Sequence, residues 1–147
     1  MAAPTGVAPV KQALVRALRD VSALTTLVGS DGINEGVEPR RKTPRYPYVI
    51  YSVVFGRREY DGTNMALVTE VDVWSISDDQ VEAHTLDQLV ADALEFKVLE
   101  LDDISEQTSL NCQRIGDLSS VDVDGEGNRV YQMGGAYRIW TDQQRTA

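Results

Sequence analysis

Apolar and polar residues alternate along two stretches in the middle of the chain, and the period then lengthens to a helical one. Residues 46–55 (YPYVIYSVVF) are rich in β-branched and aromatic side chains, which pack well on a pleated surface. Pro47 stands near the start of that run, where a strand tolerates proline. Along residues 65–76, Leu67, Thr69, Val71 and Val73 fall on one face and Val68, Glu70, Asp72 and Trp74 on the other. That is the pattern of a strand with one wetter side. The polar link at residues 56–65 (GRREYDGTNM) carries two glycines, so the two strands are expected to form an antiparallel hairpin with a long loop. Ser77 with Gln80 three residues on fits a capping box, and Asp78, Asp79 and Glu82 suit the positive end of a helix dipole. Leu86, Leu89, Val90, Ala93 and Leu94 then recur at helical spacing. A helix laid across one face of the hairpin is the expected core.

The flanks follow the same logic. Residues 1–8 read as a flexible N-terminal arm, and Pro9 suits a first helical position. Val10, Leu14, Ala17, Leu18, Val21, Leu24 and Val28 keep helical spacing, and Gly29 is placed to end the helix in a left-handed conformation. Asp20 and Ser22 leave open a break, with either capping a second short helix near Val21. Residues 30–45 (SDGINEGVEPRRKTPR) form a long connection in which Ile33 heads a short strand. Beyond the central helix, which frays around residues 96–98, strands at 110–123 and 129–141 flank the turn Asp124-Gly125-Glu126-Gly127-Asn128. Gly134 and Gly135 inside the last strand predict a bulge or a close backbone approach. Tyr137, Ile139 and Val123 complete its apolar face, with Trp140 opposite, and residues 142–147 form a flexible polar tail. The sum is one α+β domain over residues 1–147: an antiparallel sheet of about four strands, with an N-terminal helix and a central helix packed on one face.

Composition narrows the classes. The 147 residues carry 14 Lys+Arg against 23 Asp+Glu, a formal charge of −9. Such a surface repels phosphate backbones, which argues against a dedicated nucleic-acid binder but does not exclude a protein that lets nucleic acid pass without sticking. Cys112 is the single cysteine, so no intrachain disulfide forms, in keeping with synthesis in a reducing cytosol. No apolar run approaches the roughly 20 residues that span a bilayer, and the N-terminus lacks the pattern of a secretory signal. No membrane partner is expected.

Candidate chemistry is sparse. His84 has no nucleophile placed beside it, and a lone histidine next to a helical apolar stripe reads as a structural or surface residue. The alternating oxygens of residues 122–128 look faintly like a calcium loop, but a strand precedes and follows them, and the acids more simply solvate a tight turn. Asp102 and Asp103 have no assignable second carboxylate. Neither GxxxxGK[ST] nor GxGxxG occurs. No catalytic, cofactor-binding or metal-binding residue is assigned, and no cofactor is expected. What remains is interaction. Arg57, Arg58, Glu59, Tyr60 and Asp61 sit in the long 56–65 link, and Arg and Tyr are the residue types that anchor interfaces. Arg40, Arg41 and Lys42, with Arg45, form the one basic cluster, readable as a solvated loop or as a docking surface for an acidic partner. Trp140, like Trp74, suits a core or interface anchor.

Several local patterns add a resemblance. Leu24-Thr25-Thr26-Leu27-Val28-Gly29 ends the first helical region, and Pro47-Tyr48-Val49-Ile50 opens a strand. Glu70-Val71-Asp72-Val73-Trp74-Ser75 closes the next strand just before the helix that holds Glu82-Ala83. In this order and spacing, covering most of residues 14–94, the chain resembles the tail terminator (tail completion) proteins of long-tailed bacteriophages. The basic 39–42 segment and the Asp-Gly-Glu-Gly turn have no counterpart in that pattern. The resemblance implies a structural virion protein of the tail and neck: an α+β subunit that forms a homo-oligomer, a hexameric ring. Such a ring caps the tail tube protein, stops its polymerisation, and offers a face to a neck or head-completion protein. Genomic DNA passes through it without specific binding. A ring of this kind needs two unlike faces per subunit, for which the strand edges and the 56–65 and 30–45 segments are candidates. Two rivals stand beside it. One is another neck or head-completion connector, told apart by its partner. The other is a small cytosolic enzyme using Asp102, Asp103, Asp122 and Asp124, whose Asn substitutions would abolish activity and spare assembly.

Overall fold

The computed structural model describes residues 7–29, 31–36, 39, 46–61, 64–97, 99 and 107–143. Helix α1 (Val7–Arg19) takes in two residues ahead of Pro9. The chain breaks at Asp20 and resumes as α2 (Ser22–Val28), so the open question of one helix or two resolves as two. Neither Asp20 nor Ser22 caps α2; Val21 holds the N-cap position without a side-chain bond. Gly29 ends α2 with φ of 82°, a conformation that costs glycine little.

Five strands form one sheet in the order β1-β2-β3-β5-β4: β1 (Ile33–Glu35), β2 (Tyr48–Asp61), β3 (Asn64–Ser77), β4 (Gln107–Val123) and β5 (Arg129–Gln143). The four long strands are antiparallel, as expected, and the short strand headed by Ile33 adds a parallel edge, with Ile33 opposite Val49. The central hairpin departs from expectation. The ladder between β2 and β3 continues to Asp61 opposite Asn64, so the stretch read as a ten-residue loop is mostly strand. Polar side chains suggested a loop, but the ladder is made by the backbone. Here β5 pairs with β3 as far as Met65 opposite Gln143, so backbone groups on both sides of β3 are bonded there.

Helix α3 (Gln80–Leu94) lies against β3 and β5. Its cap is two residues later than the Ser77–Gln80 box. The Asp79 carboxylate accepts from the backbone N–H of Val81 (2.9 Å) and Glu82 (3.3 Å). Ser77 ends β3, fully buried, where its hydroxyl accepts from the Asp79 N–H and donates to Glu82.

Alternation decides the two faces. Val71, Val73, Cys112, Tyr137 and Ile139 face the helices and pack with Leu14, Leu18, Leu24, Leu86, Val90 and Leu94. On the opposite face Tyr48, Ile76 and Val130 form a second, smaller cluster, with Tyr46, Ile50 and Trp74 against it. Val123 does not join the apolar face; it lies exposed near the end of β4. Gly134 resolves as close approach, since a Cβ there would collide with the Val73 carbonyl oxygen. The bulges lie elsewhere: at Val54 in β2, and in β4 between Ser109 and Asn111 and at Ile115.

Candidate interaction site

One well-organised polar group among the described residues has no local signal in the sequence. Arg114 leaves β4 just before the Ile115 bulge and reaches under α3. Its guanidinium forms a two-pronged pair with Asp87 (3.0 and 2.9 Å), and donates to the Tyr137 hydroxyl (3.0 Å) and the Gly134 carbonyl (2.9 Å). Its Nε donates to Asp117 at 2.8 Å. Gly135 leaves room for this: a Cβ there would meet the guanidinium at about 2.8 Å. Hydrogen bonding to Asp87 raises the Arg114 pKa above its ordinary value, and burial pushes the Tyr137 hydroxyl up to about 12. The group has the geometry of a structural clasp between helix layer and sheet. An arginine inside a strand pattern and an aspartate on a helix 27 residues earlier give no local signal that they meet.

The residues singled out from sequence are placed as follows. Arg57, Arg58, Glu59, Tyr60 and Asp61 belong to the distal part of β2, opposite Val68, Leu67, Ala66, Met65 and Asn64 of β3. Trp140 lies on the face away from the helices, opposite Val68, as expected. The Arg138 guanidinium sits 5.7 Å from the Trp140 ring centroid and pairs with Glu70 at 2.6 Å. Arg40, Arg41 and Lys42, together with Arg45, Asp102 and Asp103, lie outside the described residues.

Cys112 and Asp124 serve the fold. Cys112 is fully buried in the core, and desolvation pushes its thiol up to about 12. His84 is exposed on α3. One carboxylate oxygen of Asp124 accepts from the backbone N–H of Glu126 and Asn128 (2.9 Å each), closing the β4–β5 turn; the other accepts from the Tyr46 hydroxyl at 3.2 Å. Asp124 thus acts as a turn-former.

Two clefts flank the helix layer. One, of about 710 Å³, lies between α1 and the β1 edge and is lined by Lys11, Arg16, Arg19, Glu35 and Tyr51. The other, of about 480 Å³, lies between α3 and the β4 bulge and is lined by Asp87, Glu95, Arg114, Ile115 and Asp117. The first holds more basic than acidic groups, the second more acidic than basic.

The described residues form a two-layer α+β subunit with polar clefts at opposite sheet edges. The chain belongs to the family described as Tail completion protein gp17, which it matches over residues 12–142. Membership makes it a structural component of a phage-type virion tail. Its fold is similar to that of a chain in the virion of native gene transfer agent (GTA) particle, with a TM-score of 0.68 and 17% identity over 93% of this chain and 99% of that one. A looser likeness, with a TM-score of 0.46 and 18% identity, is to the structure of bacteriophage SPP1 gp17 protein, over 93% of this chain and 90% of that one. A search of curated proteins finds no match.

Proposed function

We propose that this tail component works as a non-enzymatic, head-to-tail ring, six-fold as its family resemblance implies, that caps the finished tail tube. The ring stops tube polymerisation, presents its other face to a neck or head-completion protein, and leaves a channel for the genome. The observation that carries this reading is the unlikeness of the sheet's two edges, a three-residue β1 and a seventeen-residue β4. Two such edges suit a contact that differs on its two sides, and contacts of that kind generate rings. The distal β2–β3 hairpin, with Arg57 to Asp61, and the basic residues Arg40, Arg41 and Lys42 are the contacts assigned to tube and neck neighbours. Trp140 supplies a further anchor on the sheet face. A net charge of −9 supports a lumen along which DNA slides without sticking.

Native mass spectrometry of the purified protein, with and without purified tail tube protein, tests this. A closed oligomer, or a monomer that becomes a ring on tube ends and halts their growth, is the expected result. A monomer that ignores tubes at every concentration overturns it.

A further inference from the structure

We infer that the subunits of the ring meet with the β4 edge of one copy seated against the α1 cleft of the next; the inference rests on the ring reading above. Three observations carry it.

The first is the cleft. Lys11, Arg16 and Arg19 all project from α1, the last two one turn apart, and line the space beside the short β1 edge. Lys11 is engaged by Glu35 at 2.7 Å. Arg16 and Arg19 are exposed and have no ion pair among the described residues. Asp20 and Glu35 also line the cleft, so three basic groups stand against two acids; in a chain of charge −9 that is a local basic excess, carried by Arg16 and Arg19.

The second is the opposite edge. β4 has no outer strand among the described residues, and a long open edge of that kind is normally covered or blunted. This one is not blunted by lysine or proline. It displays apolar groups instead: Ile115, 43% exposed at the bulge, and Val121 and Val123, both more than half exposed. Beside Ile115 stands Asp117, whose side chain is 88% exposed.

The third observation chooses the partner. If β4 met β4 of a second copy, Asp117 and Asp122 would face their own kind across the contact, and like charges there cost affinity. Set against α1 of the next copy, the same acids meet Arg16 and Arg19, and Ile115 enters a cleft floored by Tyr51. The occupant that fits is a second copy of this chain, joined head to tail. The two surfaces lie at opposite ends of one sheet, so each subunit offers one of each.

Charge reversal tests the contact. The variant R16E/R19E alters only exposed, unpaired groups, so it is expected to melt with the parent. It should associate at least about tenfold more weakly than the parent, read as a shift to monomer in native mass spectrometry. D117R should do the same. If D117R melts below the parent because it crowds Arg114, V121K, farther along the edge, supplies the positive charge instead. Mixing the α1-reversed and β4-reversed variants should restore closed oligomers of alternating composition. Reversed variants that keep the parent's oligomeric mass overturn this contact and leave the ring reading standing. A parent that stays monomeric alone and on tube ends overturns both.

Discussion

Arg114 shows how much one residue can organise when sheet and helix both supply its partners. Its side chain and that of Asp87 are only 14% and 17% exposed, so removing either leaves the other charge in a poorly solvated place. Asp87→Ala is therefore expected to destabilise the fold by about 3 kcal/mol, read as a lower urea midpoint at unchanged m. The paired replacement Arg114→Met with Asp87→Leu should cost clearly less, because no orphan charge remains. Cys112 makes a second residue-level case. Its thiol is held up at about 12 in the fold against an ordinary 9. The unfolded chain thus releases this proton first, and stability present below pH 9 is lost as pH rises toward about 12. Tyr137, raised from 10 to about 12, acts in the same direction within that window. Urea midpoints measured from neutral pH upward should fall steeply above pH 9, and less steeply in Cys112→Ala. A flat profile would show that the core opens to solvent at that cysteine.

Among the elements, α3 depends on a cap whose geometry is simple to test. Asp79→Ala should cost about 1 kcal/mol by freeing two first-turn N–H groups and a favourable charge at the helix N-terminus, while Asp79→Ser should retain most of that. Thermal melts of the two variants beside the parent decide it; equal melting for Ala and parent would mean water satisfies those groups as well. The same helix shows what the sequence can and cannot disclose. Leu86, Val90 and Leu94 were readable as a buried stripe because burial on one side imposes a period of 3.6, and Val71 and Val73 because it imposes a period of two in a strand. The cap was misplaced because Ser77 and Asp79 are both good capping residues, and only the end of β3 decides between them. The polar 56–65 link suggests a loop because polarity carries no information about a ladder built from backbone atoms. The Ile115 bulge leaves no sequence signature, and the Arg114–Asp87 pair depends on α3 lying against β4, which is a tertiary fact.

For the whole molecule, net charge and contact charge pull assembly in opposite directions. Each subunit carries −9, so copies repel one another through solvent over distances that salt controls. The contact inferred between Asp117 and the arginines of α1 is attractive and short. At about 0.01 M ionic strength the Debye length is roughly 30 Å, and repulsion between whole subunits is felt across the ring. At about 0.15 M it shrinks to roughly 8 Å, which removes most of that repulsion while a contact pair a few ångströms apart keeps much of its attraction. At about 1 M it reaches roughly 3 Å, and the exposed pairs weaken as well. Association measured by analytical ultracentrifugation should therefore pass through a maximum near physiological ionic strength. The R16E/R19E variant, with the attractive term gone and more negative charge per subunit, should only gain from added salt. If the parent also strengthens monotonically with salt, its subunits are held by apolar contact alone, through groups such as Ile115 and Val121, and charge merely opposes their meeting.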